Sequence, residues 1–273
     1  MTPTGTLRIV TGAAIILSAL AAMTGLFWSP SDGALLTPEL YGSGLYRRDT
    51  PFVAGGSKGS DIFTLFIVLP LATWCALTGV TTRRHFMIIT VAHAWWLYLS
   101  ISLAFGSVAF NEALPVYIAM LPVSLIGLAT ALPRLRIPNA PCLLALFLVF
   151  CGVTTAGAWT FLLWIEMAAG QFPPTTYYTV RTTYALDLGL IAPGCVAAGL
   201  AVWKRWAFWP YLSVPLLGVC ATLLPMMALQ TVMQISAGVT FGPEAIAPFL
   251  GFGLISPMAA WFLWRMARAP ASQ

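Results

Sequence analysis

Long apolar runs alternate with short polar connections along the whole chain. Each run is close to the roughly 20 residues that an α-helix needs to cross about 30 Å of hydrocarbon. Eight runs meet this length, with approximate limits at residues 8–28, 61–81, 86–106, 113–133, 141–165, 185–203, 208–232 and 246–265. The pattern therefore predicts an all-α integral membrane protein, with eight transmembrane helices in one polytopic domain over residues 1–273.

The composition excludes a soluble globular protein. Hydrophobic residues make up 59% of the chain and charged residues only 8%, and the mean hydropathy is +0.88. Soluble proteins have about 25% charged residues, because their surface faces water. The net charge of +5 comes from basic residues in short loops between apolar runs. That arrangement is typical of membrane topology and does not predict binding to nucleic acid.

The distribution of basic residues predicts the orientation of the spans. Nine of the thirteen lysines and arginines fall on one side of the membrane. They are Arg8, Arg83, Arg84, Arg134, Arg136, Lys204, Arg205, Arg265 and Arg268. The positive-inside rule places this side, with both termini, in the cytoplasm. All eight acidic residues fall on the other side, so we expect the outer surface to be polar and mixed in charge.

The connection before the second span concentrates charge, glycine and tyrosine. It reads LYRRDTPFVAGGSKGSD and holds five charged residues in seventeen positions. Arginine offers a planar fork for a carboxylate or phosphate, and tyrosine adds a ring and a hydroxyl. A second outer connection contains the similar stretch YYTVRTTY. The candidate binding residues are Tyr46, Arg47, Arg48, Asp49, Asp61, Glu166, Tyr178, Arg181 and Asp187.

These residues have a structural interpretation beside the functional one. Asp61 and Asp187 open predicted spans, where an Asp caps free amides and interacts favourably with the helix dipole. The arginines and tyrosines fit an interfacial aromatic belt with local ion pairs, and Glu166 could pair with Arg181 or Arg47. In the functional interpretation, the two Asp and the loop residues form an outer vestibule. It would bind a cation, a proton, a small solute or a lipid headgroup.

The two halves of the chain share an order of features. After its first span, each half has a long outer connection that ends at an Asp, Asp61 or Asp187. The span that follows contains a proline and closes on a basic pair. A duplication of residues 1–136 and 137–273 would give two parallel four-helix repeats. The distance from Asp to proline is nine residues in one half and six in the other, which leaves the repeat open.

No metal site or cofactor is predicted. His85 and His93 are the only histidines and stand about 12 Å apart along one helix, too far to ligate one ion. The five cysteines lie in apolar runs without a CxxC pair, which is typical of packing residues. Met226, Gln230 and Met233 share a helical face. Packing explains this face better than a path for a soft metal.

Three stretches of the sequence resemble a known group of proteins. They read YGSGLYRRDTPFVAGGSKGSDIFTL, AFNEALPVYIAMLPVSLIGL and DLGLIAPGCVAAGLAVWKR. They are similar to bacterial multi-pass inner-membrane proteins of uncharacterised function, and the resemblance covers most of the chain. It implies an eight-helix bundle in the bacterial inner membrane, and it implies no activity.

Transport or binding of a small solute, proton or cation at an extracytoplasmic polar vestibule is the function that these patterns favour. Proline-kinked spans and a duplicated architecture are features of transporters. One alternative is a membrane-embedded enzyme that acts on a lipid or lipid-linked substrate at the outer leaflet, and another is an accessory subunit of a larger complex. The expected partners are membrane lipids, a solute or lipid headgroup on the outer side, and further membrane subunits.

Overall fold

Eight long helical spans make up the protein, as the apolar runs predict. The computed structural model describes residues 3–28, 44–106, 111–135, 137, 141–168, 182–242 and 246–268. The helices are α1 Pro3–Phe27, α2 Pro51–Phe63, α3 Leu69–Thr78, α4 Arg83–Gly106, α5 Leu114–Ala131, α6 Cys142–Ala168, α7 Thr182–Leu186, α8 Ala192–Trp203, α9 Trp209–Ser236 and α10 Ile246–Arg268. α2 and α3 form one span, as do α7 and α8. Among the described residues, eight helices are long and apolar enough to cross a membrane, which confirms an all-α, multi-pass membrane protein.

Consecutive spans alternate in direction, so their ends form two faces. The side that carries residues 44–50 and 111–113 is called the loop face. The opposite side is called the basic face and carries Arg83, Arg84, Arg134, Lys204, Arg205, Arg265 and Arg268. The candidate residues that the structure describes come from the loop face or from the half of the spans nearest to it.

The second span begins ten residues earlier than the hydrophobic pattern predicts. α2 starts at Pro51, a position where the missing proline amide costs no helical hydrogen bond. The Thr50 hydroxyl caps this end by accepting a hydrogen bond from the Val53 amide at 3.4 Å. Asp61 therefore lies about 15 Å along a continuous 28-residue span. Its predicted role as a cap at the start of a helix is wrong.

Glycines in this stretch allow close packing of two helices. Gly55 and Gly59 lie one turn apart on the face of α2 that meets α9. A Cβ atom on Gly55 would lie 2.7 Å from the Cα of Gln234, and one on Gly59 would overlap the backbone of Gln230. Small residues at this spacing let membrane helices approach closely. The glycines that predicted a loop in the sequence are thus the contact surface of a helix.

Two glutamines of α9 strengthen this contact with hydrogen bonds. Gln230 Nε2 donates to Ser60 Oγ at 2.8 Å, and Gln234 Nε2 donates to the Phe52 carbonyl at 2.9 Å. Hydrogen bonds between membrane helices contribute on the order of 1 kcal/mol each. Because α9 also packs against α4, this helix joins the first four spans to the last four.

Two spans contain a π-helical turn followed by a proline. The turn covers Thr64–Val68 before Pro70 in the second span, and Asp187–Ile191 before Pro193 in the sixth. A π turn widens the helix locally and is frequent at functional sites. Here it stands where a proline removes one amide donor. Asp187 consequently lies inside the sixth span, and its predicted position at the start of a helix is also wrong.

The buried core is divided between two groups of spans. In the first group α1, α4 and α5 pack against one another and α2 packs against α1, whereas α6, α8, α9 and α10 form the second group, with α9 also contacting α2 and α4. Phe63 and Trp95 meet edge to face in the first group, with ring centroids 5.0 Å apart. Phe147 and Phe262 pack in the second, with centroids 5.3 Å apart. Asp61 and the loop residues near it belong to the first group.

Replacing Gly59 with alanine is expected to destabilise the protein, because the added Cβ would overlap the Gln230 backbone. We expect a loss of about 2 kcal/mol, as in other overpacked cores, measured as a lower melting temperature in detergent micelles. Gly157→Ala on α6 is the matched control, since a Cβ atom there meets nothing within 4 Å. Equal stability of the two variants would contradict close packing at Gly59.

Candidate functional site

Asp61 is a carboxylate enclosed within the first group of spans. The residue is only 1% exposed, although it lies in a membrane-spanning helix. Tyr46 donates a hydrogen bond from Oη to Asp61 Oδ2 at 2.9 Å, and the Tyr117 hydroxyl lies 3.4 Å from that of Tyr46. Ionisable residues inside membrane spans are costly and mark functional sites by default. Asp61 is therefore the centre of the candidate site.

Gly25 of α1 gives the Asp61 carboxylate its space. A Cβ atom at this position would lie 2.8 Å from Asp61 Cγ and 2.9 Å from Tyr46 Oη. Only glycine lets these groups meet. Burial, with Asp61 and Tyr117 close by, raises the pKa of the Tyr46 hydroxyl well above its ordinary value. Tyr46 therefore stays a neutral hydrogen-bond donor to the carboxylate.

A short turn of residues 44–50, called the lid, covers the site at the loop face. Arg47 is 4% exposed and donates from Nη2 to Glu112 Oε1 at 2.6 Å. Its Nη1 donates to the Gly44 carbonyl at 3.1 Å. Gly44 has a positive φ of 87°, which glycine adopts without strain. The Arg47–Glu112 ion pair thus fastens the lid to the residues that precede α5.

A cavity of about 10 Å³ adjoins the Asp61 carboxylate. Hydroxyl-bearing side chains of Ser18, Thr64, Ser100 and Tyr117 contribute to its lining. The Ser18 hydroxyl is buried without a hydrogen-bond partner in the described part of the chain. This volume is close to the minimum for one water molecule, about 10–15 Å³. The cavity next to Asp61 is therefore about the size of one water molecule.

A series of buried polar side chains continues from this cavity toward the basic face. It consists of Ser18 and Thr11 on α1, Ser100 and His93 on α4, and Tyr117 and Ser124 on α5. The two residues on each helix are seven positions apart, about 10 Å along the axis. All six are 1% exposed or less. Together with Asp61 they are called the polar column, of which only Asp61 was a predicted site residue.

His93 forms the end of the polar column nearest the basic face. Its Nε2 shares a hydrogen bond of 3.1 Å with the Thr11 hydroxyl, and its ring packs edge-on against Trp96. A Cβ atom on Gly127 would overlap the imidazole, so glycine lets α5 approach it. Among the described residues, His93 Nδ1, Trp96 Nε1 and Ser124 Oγ are buried without a hydrogen-bond partner. Buried polar groups of this kind are sites for water or an ion.

An apolar cluster closes the polar column toward the basic face. Leu7 on α1 and Ile89 on α4 lie about one helical turn beyond the end of the column, and Ala131 on α5 lies about two turns beyond Ser124. Each of the three is 0% exposed. They pack in one cluster with Cys75 and Val80. These five residues are called the apolar plug. The column is thus enclosed by the lid at one end and by the apolar plug at the other.

Asp187 belongs to a different cluster. Tyr98 donates to its Oδ1 at 3.2 Å, and Trp159 donates from Nε1 to its Oδ2 at 2.9 Å. Tyr98 and Ser100 project from different faces of α4, because neighbouring helical positions are 100° apart. α4 therefore lies between Asp187 and Asp61. The structure does not bring the two carboxylates into one vestibule.

The remaining predicted site residues lie in the lid or outside the described residues. Arg48 and Asp49 are part of the lid, where the Asp49 amide donates to the Tyr46 carbonyl at 3.0 Å. Glu166 lies in the last turn of α6, and its side chain is outside the described part of the chain. Tyr178 and Arg181 are also outside it.

Comparisons with known proteins give no match to this chain. No protein-family model matches it, and no curated protein or solved structure does. Among the described residues, no group of three or more His, Cys, Asp or Glu side chains is arranged to hold a metal ion. The geometry of the polar column is therefore the basis for assigning a function.

Replacing Glu112 with glutamine is expected to weaken the lid and to reduce its sensitivity to acid. Burial acts to raise the pKa of Glu112, but the hydrogen bond from Arg47 and the charges of Arg47 and Arg48 hold it below its ordinary 4.5. A depressed folded-state pKa gives stability that is present above 4.5 and is lost as the pH falls through the folded value. The wild type should therefore lose stability below about pH 4.5.

The measurement is thermal unfolding in detergent over a series of pH values. At neutral pH, Glu112→Gln should cost about 2 kcal/mol, the size of a hydrogen bond to a charged group. Its melting temperature should then fall less steeply in acid than that of the wild type. Parallel pH profiles for the two proteins would show that the Arg47–Glu112 pair does not stabilise the lid.

Proposed function

We propose that this protein is a membrane transporter that moves protons through the polar column, with Asp61 as the proton-binding carboxylate. The column is the observation that carries the proposal. Its seven side chains are nearly fully buried and lie on adjoining spans. Polar groups in a membrane interior are expensive unless they are satisfied, and they typically line the paths of ions and protons.

The chemistry at the two ends of the column favours a proton over a metal cation. A carboxylate and an imidazole both accept and release protons. The hydroxyls near Asp61 and those near His93 lie about 10 Å apart along the helices, so water molecules would have to link the two layers for a proton to pass. A small cation bound at Asp61 is the second candidate, because Asp61 and the nearby hydroxyls are oxygen ligands.

Closure at both ends supports an alternating-access cycle. The lid covers Asp61 from the loop face, and the apolar plug separates His93 from the basic face. A conducting path would need both barriers open at once. A transporter opens them in turn, so the structure corresponds to an occluded state in this proposal.

The proposed orientation places the basic face in the cytoplasm and the loop face outside. The concentration of arginine and lysine at the basic face supports this, by the positive-inside rule. The resemblance to bacterial inner-membrane proteins supports that membrane as the location. Protons would then enter from the extracytoplasmic side past the lid and leave past the apolar plug.

We also propose that residues 1–136 and 137–273 are parallel four-helix repeats. In each half, a π turn begins six residues before a proline in the second span of that half. This shared spacing supports a duplication better than the positions of Asp61 and Asp187 do, because their distances to the proline differ. When the two π turns are aligned, Thr64, and not Asp61, corresponds to Asp187. The shift of one helical turn explains why the two carboxylates belong to separate clusters. Only the first repeat would then carry the proton path.

Asp61→Asn is expected to abolish proton uptake, because an amide neither binds nor releases a proton at this site. Purified protein would be reconstituted in liposomes that contain a pH-sensitive dye, and acid would be added outside. Wild-type protein should acidify the lumen faster than protein-free liposomes. We expect the variant to reduce that rate at least about tenfold, equivalent to a barrier about 1.4 kcal/mol higher.

Asp187→Asn is the matched comparison, since it makes the same chemical change outside the polar column. It should retain most of the wild-type rate. A parallel assay with a sodium-sensitive dye and a sodium gradient separates proton from cation transport. Equal rates for Asp61→Asn and wild type with both ions would rule out Asp61 as the transport site.

Ile89→Ser is expected to increase proton leakage, because it puts a hydroxyl into the apolar plug next to His93. The rate of acidification should rise at least about tenfold. Leu144→Ser is the control, since Leu144 is equally buried in the second group of spans and lies away from the column. If both variants leak equally, general loosening of the bundle explains the effect and the apolar plug is not a barrier.

A further inference from the structure

A groove with a volume of about 360 Å³ lies between the second span, α4 and α10. Its walls are apolar and include Ile67, Leu71, Val91 and Leu263. Ile67 is 38% exposed and Leu71 48% exposed, so the groove is open toward the surrounding membrane. The volume is within the range of specific ligand sites, about 300–1,000 Å³. The groove lies on the other side of Phe63 and Trp95 from Asp61, and it is separate from the polar column.

Two arginines stand at the end of this groove that meets the basic face. Arg84 is the second residue of α4 and Arg268 the last of α10, and both line the groove and are exposed. The Arg268 guanidinium lies over the Trp264 ring, 4.5 Å from its centroid, which helps to hold it in place. The sequence has no acidic residue between Asp61 and Glu112 or after Glu244. The two spans that carry these arginines therefore supply no carboxylate at the basic face.

The length of the groove matches one leaflet of a bilayer. Arg84 and Trp95 mark its ends on α4, and eleven residues of helix span about 16 Å. Half of a hydrocarbon core is about 15 Å thick. The arginines thus lie at the level of headgroups, while the Phe63 and Trp95 rings close the groove near the middle of the membrane.

We propose that this groove binds an anionic phospholipid from the leaflet at the basic face. Arg84 and Arg268 bind its phosphate, because guanidinium groups form paired hydrogen bonds with phosphate oxygens. One acyl chain lies along Ile67, Leu71 and Val91 toward Trp95. The charge at one end and the apolar walls along the rest match the two parts of a lipid molecule, whereas a free anion would use only the arginines.

Native mass spectrometry of the full-length protein tests this proposal. The protein would be released from mixed micelles of phosphatidylcholine and phosphatidylglycerol, and the bound phosphatidylglycerol counted. The double variant Arg84→Ala/Arg268→Ala should lower the bound fraction about tenfold. Leu71→Trp should lower it similarly, because a larger side chain fills the groove without changing the charge. Monodisperse elution in size-exclusion chromatography would show that each variant is folded.

Two matched controls change the same residue types outside the groove. Arg265→Ala removes an exposed arginine of the last turn of α10, and Leu125→Trp enlarges an exposed leucine of α5. Both should bind phosphatidylglycerol like the wild type. Equal loss with Arg265→Ala would overturn the proposal, since any surface charge would then suffice. Unchanged phosphatidylglycerol binding by Leu71→Trp, together with displacement of the lipid by inorganic phosphate, would also overturn the proposal. That outcome would indicate that the arginines form a site for anions only.

Discussion

A carboxyl group buried inside a bilayer must either be protonated or be paired with polar groups that replace the surrounding water. The first group of spans is organised around this requirement at Asp61. Tyr46 must reach it from the lid, so residues 44–50 fold back onto the bundle and Arg47 is buried with its ion pair to Glu112. Gly25 must lack a side chain, because any Cβ atom there would occupy the space of the carboxylate.

The number and positions of the spans could be predicted from the sequence, because length and apolarity alone decide whether a helix can cross a membrane. The start of α2 could not be predicted in this way. Its first ten residues contain three glycines, a proline and a lysine, and a hydropathy scale that scores residues one by one therefore predicts a loop there. Their helical structure depends on α9, whose Gln230 and Gln234 pack against Gly55 and Gly59. Such a tertiary contact has no local signal beyond the four-residue spacing of the two glycines.

The polar column was missed for a related reason. Serine, threonine and histidine occur singly in many apolar helices, and His93 alone indicated only a packing residue. The usable signal was the recurrence of polar pairs seven positions apart in the first, third and fourth spans. The partner of Arg47 was also missed, since Glu166 was favoured by its position at the end of a span. Glu112 is close to Arg47 only because α1, α4 and α5 pack together.

The double role of Tyr46 links the lid to the state of Asp61. Tyr46 belongs to the lid, and it is also the side-chain donor that the described residues provide to the carboxylate. In the proposed transport cycle, opening of the lid would remove this hydrogen bond from Asp61 as water reaches the carboxyl group. Closing of the lid would exclude the water, and Tyr46 together with a bound proton or cation would stabilise Asp61. The proposal therefore couples the position of the lid to binding at Asp61 through the Tyr46 hydroxyl, whose raised pKa keeps it a neutral donor.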